Sequence, residues 1–380
     1  MRSSTLVRRV AIGLGSFVLL LLVALLAVGW YYANLILDGA LVIKDEAHKY
    51  EVEVTEMGDG RITLRSTTGA DIASEPEHIG LDWPAGYARA GGTLSSTEET
   101  VTREFAPLDG GLQVGDLVRF DKFAFPGDPE SAHGIAFDAA TFASPLGALA
   151  AWRVGGIEDT WVIFVHGKGS NRREALRMMP VVVDAGLPSL AITYRNDPAA
   201  PTDPSGYYEY GRTEWEDLEA AVEYALAEGA NDVVLVGYSM GGGIVANFLI
   251  RSSFADRVAG VILDSPMLDF GATIDLGAER RGLPVFLAGV AKLVSSVRFG
   301  VDWAALDYLD RADELSVPIL LFHGDADTTV PQRTSNALAE RRPDLVTYEA
   351  FDGAAHVGAW NANPERYEEA VAAFLARVAF

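Results

Sequence analysis

Hydrophobic positions follow three different patterns along the 380 residues of the chain. Residues 10–37 form an almost unbroken apolar run, and polar and apolar residues alternate in several segments of 41–145. From 146 onward, short apolar runs alternate with amphipathic stretches. These patterns indicate a membrane helix, a set of strands, and strands alternating with helices. We therefore predict an N-terminal tail (1–9), a transmembrane helix (10–37), a β-rich domain (41–145) and an α/β domain (146–380).

The apolar run is longer than a membrane requires. As a helix it spans about 40 Å, against roughly 30 Å for the hydrocarbon core of a bilayer. Arg2, Arg8 and Arg9 precede the run, and Trp30 lies near its far end, where interfacial aromatic residues are common. The positive-inside rule then predicts a single-pass signal anchor, with the N-terminus in the cytoplasm and the rest of the chain extracytoplasmic.

A cleaved secretory signal is the alternative interpretation of this N-terminus. Ala27-Val28-Gly29 is a loose match to a small-x-small cleavage site. However, the apolar region of a secretory signal is only about 7–15 residues long. Cleavage would make the protein a secreted one.

The segment 41–145 shows strand signals and no chemical motif. KYEVEVTEM (49–57) and RITLRST (61–67) alternate polar and apolar residues, and Gly58-Asp59-Gly60 between them is a hairpin turn signal. VTREFAPLDG (101–110) and DLVRFDKFAF (116–125) predict two more strands. We expect these strands to form a small β-rich domain.

The apolar runs after residue 146 are short and continuous, as expected of parallel strands that are buried on both faces. Strands that alternate with helices predict a parallel sheet with crossover helices. The predicted strands are 160–165, 189–194, 232–237, 258–264, 318–323 and 346–351.

Residues 268–312 interrupt the alternation of strands and helices. They include the apolar stretch LPVFLAGVAKLV (283–294). We expect this insertion to cover the site as a cap, and ordinary crossover packing is the alternative.

The net charge and the content of cysteine and histidine exclude several classes of function. The formal net charge is −23, and so acidic a surface repels nucleic acid, so we expect no nucleic-acid partner. The chain has no cysteine, which excludes disulfides, a thiol nucleophile and thiolate metal sites. The six histidines show no metal-ligand spacing, so we predict no metal site.

A candidate nucleophile lies where a predicted strand meets a predicted helix. Gly237-Tyr238-Ser239-Met240-Gly241 matches GxSxG, a pattern that is weak by itself. Here it follows the buried strand 232–237 and precedes an apolar-faced helix (244–253), which is the context of a nucleophile elbow. Glycine at 237 and 241 avoids collisions with neighbouring backbone in such a strained turn.

A serine hydroxyl needs a base to accept its proton. His356, in the loop after the last predicted strand, is the candidate base, and Asp327, in the loop after the preceding strand, is the candidate orienting acid. Each lies at the carboxyl end of a predicted strand, where open parallel sheets bind ligands. Asp325 is the alternative acid.

An oxyanion hole needs two backbone N–H donors. Met240, the residue after the nucleophile, is the first candidate. The second should come from the loop His166-Gly167-Lys168-Gly169, where Lys168 is favoured by position and Gly167 is the alternative. We expect His166 to make structural hydrogen bonds and not to act as a second base.

Four motifs resemble those of the α/β-hydrolase superfamily, in its bacterial serine esterase, lipase and serine-peptidase-like branch: HGKGSN (166–171), GYSMGGG (237–243), HGDADTTVP (323–331) and GAAH (353–356). The order Ser, Asp, His is also that of the superfamily. The resemblance covers 146–380. It implies a mostly parallel eight-stranded sheet flanked by helices, an acyl-enzyme on Ser239, no cofactor, and water as the usual acceptor.

The resulting expectation is a serine hydrolase, carboxylesterase- or lipase-like, that acts on a small-molecule ester with an apolar acyl group. It rests on the apolar stretch at 283–294 and on the predicted membrane anchor. A serine peptidase or a thioesterase with the same triad is the alternative, and Asp302, Asp307 and Asp310 are acidic residues that a peptidase selecting a charged N-terminus would need. A catalytically silent, membrane-anchored binding protein is the alternative from another class.

Overall fold

The computed structural model describes residues 2–44 and 48–380. In chain order it contains a long N-terminal helix, a six-stranded barrel and an eight-stranded sheet covered by helices. Met1 of the predicted tail and residues 45–47 of the predicted β-rich domain lie outside the described residues.

The N-terminal apolar run forms one continuous helix, α1 (Arg2–Ile36), which ends in a π-helical turn, Leu37–Leu41. The residues predicted as a separate tail therefore continue the helix from Arg2 onward. Among the described residues, this is the one helix long and apolar enough to cross a membrane, and within Ala11–Leu41 an 18-residue window reaches a mean hydropathy of 2.8. The length and composition of the helix agree with an anchor or a signal sequence.

The small domain is a closed antiparallel barrel of six strands in the order β1-β2-β5-β4-β3-β6. Closure leaves no free strand edge, and alternate side chains such as Ile62 and Leu64 fill the interior. Each of the four predicted strand segments contains a strand, and β3 and β4 are additional. The strands are β1 (Val52–Gly58), β2 (Arg61–Ser66), β3 (Ile79–Trp83), β4 (Gly86–Ser96), β5 (Thr100–Asp109) and β6 (Leu117–Asp121).

The large domain is built on an eight-stranded sheet in the order β14-β13-β12-β11-β9-β10-β8-β7. Only β8 runs opposite to the other described strands of this sheet, so the sheet is mostly parallel, as the resemblance implies. The strands are β7 (Asp138–Ser144), β8 (Gly147–Val154), β9 (Thr160–Val165), β10 (Ser189–Ile192), β11 (Asp232–Tyr238), β12 (Val258–Asp264), β13 (Ile319–Gly324) and β14 (Val346–Phe351).

The boundary between the two domains differs from the predicted one at 145/146. The large sheet begins with β7, which pairs with β8 along its whole length, so residues from 138 onward belong to the large domain. The edge strand β7 is mostly exposed and contains only one buried residue, Phe142. It therefore lacks the continuous apolar run by which the other strands were recognised.

Helices cover both faces of the large sheet. Side chains of α4, α5 and α8 pack with one face, and side chains of α3 and α10 pack with the other. The predicted insertion 268–312 contains α6 and α7. The helices are α2 (Pro129–His133), α3 (Met179–Asp184), α4 (Trp215–Ala227), α5 (Met240–Arg251), α6 (Phe270–Glu279), α7 (Val285–Phe299), α8 (Gln332–Arg341), α9 (Ala359–Ala362) and α10 (Pro364–Val378).

The N-terminal helix packs on helix α7 of the insertion 268–312. A Cβ on Gly29 would lie 2.5 Å from Val290 Cγ1, so the helices approach closely there. The Arg298 guanidinium stacks 3.5 Å from the centre of the Trp30 ring, and its Nη1 donates to Asn34 Oδ1 at 2.8 Å. The second half of α1 and the cap therefore form one packed unit.

The turn after α1 is bonded to loops of the large domain. Lys168 Nζ donates to Gly39 O at 2.9 Å, and Tyr210 Oη donates to Ala40 O at 3.0 Å. These hydrogen bonds place the end of α1 beside the loop in which the second oxyanion donor is predicted.

Asn361 of α9 joins the barrel to the large domain. Its Nδ2 donates to the barrel carbonyls of His78 at 2.7 Å and Lys122 at 2.9 Å. Its Oδ1 accepts from Arg177 Nη1 at 2.9 Å. One buried amide thus connects the residue before β3 and the residue after β6 to the interior of the large domain.

Candidate active site

Three loops at the carboxyl ends of parallel strands meet at one edge of the large sheet. Ser239 lies between β11 and α5, Asp327 follows β13, and His356 follows β14. The structure brings these three predicted site residues together. Their side chains form one continuous chain of hydrogen bonds.

The turn at Ser239 has the strained geometry of a nucleophile elbow. Its backbone angles are φ 51° and ψ −115°, which side-chain-bearing residues rarely adopt. A Cβ on Gly237 would lie 2.7 Å from Gly241 O, and one on Gly241 would lie 2.1 Å from Val165 O. Glycine is therefore required on both sides of the turn, while Tyr238 ends the buried strand.

The imidazole of His356 bridges the hydroxyl and the carboxylate. Its Nε2 lies 2.8 Å from Ser239 Oγ, and its Nδ1 lies 2.7 Å from Asp327 Oδ2. Both distances are those of good hydrogen bonds. With Nδ1 protonated toward the carboxylate, Nε2 is free to accept the hydroxyl proton.

The side chain of Asp327 is fully buried and remains charged. Its Oδ1 accepts from the backbone N–H of Thr329 at 2.7 Å and of Val330 at 2.9 Å. Burial by itself would raise the pKa of Asp327, but the hydrogen bonds from His323 and His356 outweigh it and hold this pKa well below its usual range. The carboxylate can therefore stabilise a positive imidazolium.

Asp325, the alternative acid, has a different partner. Its Oδ1 accepts from the backbone N–H of Gly353 at 2.6 Å, which ties together the two loops that carry Asp327 and His356. Its contact is with the main chain and not with the imidazole.

His323 is a member of the site that sequence reasoning did not single out. It is fully buried, with Nδ1 2.7 Å from Ser335 Oγ and Nε2 3.1 Å from Asp327 Oδ2. It contacts the same carboxylate oxygen of Asp327 as His356 does. A histidine at the end of the apolar run 318–323 was the available signal.

Met240 and Lys168 are the two predicted donors of the oxyanion hole. In the described part of the chain, the N–H groups of Met240 and Lys168 have no hydrogen-bond acceptor. The N–H of Gly167 donates to the buried Glu174 carboxylate at 2.8 Å. This bond engages the Gly167 donor, so the alternative of Gly167 in the oxyanion hole is not supported and Lys168 stays the predicted second donor.

His166 makes structural contacts, as predicted. Its Nε2 lies 2.8 Å from Asp197 Oδ2, its Nδ1 lies 2.9 Å from Gly167 O, and its ring stacks on Tyr194. Burial acts to lower the pKa of His166, but the Asp197 carboxylate raises it above its usual value. The contacts of His166 with Asp197, Gly167 and Tyr194 fix the backbone of the predicted oxyanion loop.

A second buried carboxyl lies directly behind the nucleophile. The main-chain oxygen of Asp264 accepts from Ser239 N at 3.0 Å, and its side chain is fully buried. Burial raises the pKa of Asp264 to about 6, although the nearby Arg177 guanidinium acts in the opposite direction.

Among the described residues, no group of three or more His, Asp or Glu side chains suits a metal ion.

Comparisons with known proteins agree with the fold of the large domain. A model of the Alpha/beta hydrolase family matches residues 162–372, more than half of the chain. Among solved structures, the chain is similar to an esterase from Pyrococcus furiosus, with a TM-score of 0.53 and 21% identity over 67% of this chain and 96% of that chain. A second crystal form of that esterase gives a TM-score of 0.53 and 22% identity over 67% and 97%. At these identities, the likeness shows the fold.

Proposed function

Because this chain belongs to the alpha/beta hydrolase family, we propose that it is a serine hydrolase that cleaves carboxylic esters. The observation that carries the proposal is the continuous hydrogen-bonded series of Ser239, His356 and Asp327. Each hydrogen bond in this series has the donor and the acceptor that proton transfer requires. No cofactor takes part.

The proposed reaction is acyl transfer in two stages. Ser239 Oγ attacks the ester carbonyl while His356 Nε2 takes its proton, and the N–H groups of Met240 and Lys168 bind the oxyanion. His356 then protonates the departing alcohol as the carbon–oxygen bond of the ester breaks. His356 then takes a proton from water, which attacks the acyl-enzyme, and the imidazolium returns this proton to Ser239 Oγ as the acyl bond breaks and the acid leaves. Asp327 holds the imidazole in the productive tautomer throughout.

A nucleophile-directed experiment tests this proposal. The full chain in detergent is treated with a fluorophosphonate probe and with p-nitrophenyl acetate, alongside Ser239→Ala and the control Ser252→Ala at the other end of α5. We expect labelling and at least a 10⁴-fold rate advantage to disappear in Ser239→Ala. Ser252→Ala should behave as wild type. A folded wild type that neither labels nor hydrolyses the ester would favour the silent binding protein.

The acidic residues of the cap do not favour the peptidase alternative. Asp302 Oδ1 accepts from Ala305 N, and Asp307 Oδ1 accepts from Asp310 N, so both carboxylates bind backbone of their own loop. Aminoacyl-amide and thioester substrates, assayed beside esters of the same acyl group, separate the three classes of substrate.

We propose that α1 remains attached as a single-pass anchor, with residues 1–9 in the cytoplasm and the large domain outside. Support comes from the exposed apolar side chains of the helix and from its bonded final turn. Cleavage after Gly29 would remove most of the apolar run and free a secreted protein. The intact mass of the protein in the membrane fraction decides between them.

A further inference from the structure

A cavity of about 310 Å³ lies between the end of α1, the cap helices α6 and α7, and the loop after Asp327. Its volume is at the lower end of the roughly 300–1,000 Å³ of ligand pockets. Among the described residues that line it, Arg281 is the one charged residue, and its Nη1 donates to Gly277 O. The cavity therefore suits an uncharged, apolar group.

The cavity is in contact with both sides of the candidate active site. Thr328 and Thr329 line it directly after Asp327, and Thr329 N donates to the Asp327 carboxylate. Gly39, on the opposite wall, accepts from the side chain of Lys168, whose backbone N–H is the proposed oxyanion donor. An apolar acyl chain in this cavity would thus extend away from the reacting carbonyl. It would pass between the loop that carries Asp327 and the loop that carries Lys168.

The outer surface of the cap is apolar beside the same helix. On α7, Val285, Leu293 and Val297 are 77%, 63% and 81% exposed, and their spacing places them on one face. Exposed apolar side chains in this number on a helix are typical of a surface that lies against a membrane. The neighbouring α1 has the composition of a membrane span, so both helices present apolar surface.

We propose that this cavity is the acyl pocket of the site, and that it takes the hydrocarbon chain of an ester lipid that enters from the bilayer. The inference rests on the proposed serine hydrolase function. The N-terminal helix is then a wall of the substrate site as well as an anchor. Each methylene buried in such a pocket strengthens binding roughly fourfold, so the enzyme should prefer long acyl chains.

Two glycines in the wall allow the cavity to be filled from opposite sides. A Cβ on Gly39 meets no atom within 4 Å, and one on Gly277 meets only the end of Arg281 at 3.5 Å. Gly39→Phe fills it from the N-terminal helix, and Gly277→Phe fills it from the cap. Gly15 in α1 and Gly289 in α7 also have open space and do not line it, so Gly15→Phe and Gly289→Phe are matched controls.

The test measures kcat/KM for p-nitrophenyl acetate and p-nitrophenyl laurate with the full chain in detergent. We expect Gly39→Phe and Gly277→Phe to lower the laurate value at least tenfold and to change the acetate value less than twofold. Both controls should stay within twofold for both esters. A thermal melt and the rate of fluorophosphonate labelling confirm that each variant is folded and has a working nucleophile.

The outcomes separate this inference from the function on which it rests. If the wild type hydrolyses acetate but the cavity variants lose no laurate selectivity, the acyl pocket is elsewhere. Equal losses on both esters would also contradict the pocket. A wild type that neither labels nor hydrolyses acetate would overturn the serine hydrolase proposal itself.

A second comparison tests entry from the bilayer. The protein is reconstituted in phosphatidylcholine vesicles, and a dye-labelled diacylglycerol is placed either in the same vesicles or in separate ones. We expect hydrolysis at least tenfold faster in the shared bilayer. Equal rates would show that the lipid reaches the cavity from water.

Discussion

The barrel and the large domain both bury charged side chains, but they provide different partners for them. In the barrel, the fully buried Arg103 donates to the main-chain oxygens of Gly91 and Glu75, each at 3.1 Å. In the large domain, the buried Asp327 has the imidazole of His356 as a partner, which in turn contacts a hydroxyl. Main-chain oxygens hold a charge in place, whereas an imidazole between a carboxylate and a hydroxyl can also transfer a proton.

This difference distinguishes buried charges that contribute to stability from buried charges that can take part in catalysis. Burial of a charge by itself does not mark an active site, because Arg103 is as deeply buried as Asp327. What distinguishes the candidate site is a titratable partner and a nucleophile beyond it. Substitutions in the two domains should therefore change different measured quantities.

The largest effect is expected for Asp327→Asn. The amide keeps the acceptor for Thr329 N but presents N–H groups to His356 Nδ1, which favours the wrong tautomer. We expect kcat to fall roughly 10⁴-fold with little change in melting temperature. The control is Asp325→Asn, which keeps an acceptor for Gly353 N and should retain activity. A larger loss in the control than in Asp327→Asn would assign the acid to Asp325.

A smaller effect, on stability alone, is expected for Arg103→Met. Without the guanidinium, buried main-chain oxygens lose their donors, at a cost of about 1–3 kcal/mol each, partly offset because a buried charge is removed. Thermal melts should show the loss, while the labelling rate of Ser239 below the melting temperature stays unchanged. The control Arg65→Met removes an exposed ion pair with Glu53 and should lower the melting temperature less than Arg103→Met does.

Asp264→Asn tests a residue between the structural Arg103 and the triad residue Asp327, because Asp264 has a buried carboxyl and its main chain contacts Ser239. The pKa of Asp264 is raised to about 6 by burial, so between about pH 4 and pH 6 the folded state retains a proton that the unfolded state has lost. Stability therefore falls as pH rises through this window, by roughly 2–3 kcal/mol. Asp264→Asn abolishes this fall, so the variant should gain melting temperature relative to wild type at pH 7 and little at pH 4.5.

The exposed Asp256 provides the control for that measurement. Asp256→Asn should shift the melting temperature equally at both pH values. A pH-independent difference between Asp264→Asn and wild type would show that Asp264 stays charged in the folded state across the window.

The fold of the large domain was predictable because its central strands are buried on both faces. The predicted runs 160–165 and 258–264 coincide with β9 and β12, and the family match confirms the α/β-hydrolase fold. By contrast, β4 (Gly86–Ser96) contains small and polar residues, and its last four residues are exposed, so it shows no alternating pattern that would predict a strand. β7 was assigned to the wrong domain for the same reason.

The site residues were predictable where a sequence motif determines the local geometry. They were less predictable where their interactions depend on contacts between distant segments. The residue types and order placed Ser239, Asp327 and His356 at strand ends, and the structure brings them together. The bond from Gly167 N to Glu174 depends on how the following 3₁₀ turn folds back, which the residue pattern does not show. The packing of α1 on α7 joins segments far apart in the chain, and no local pattern predicts it.

The bridging amide of Asn361 has a consequence for how separable the units of this protein are. Asn361 lies in the helix that follows the His356 loop, and its donors end on the barrel. Excision of 52–122 would strip these partners from a buried amide and uncover the surface under α9. The barrel is therefore part of the scaffold that holds the base, and not a module that can be exchanged between proteins while the rest is left as it is.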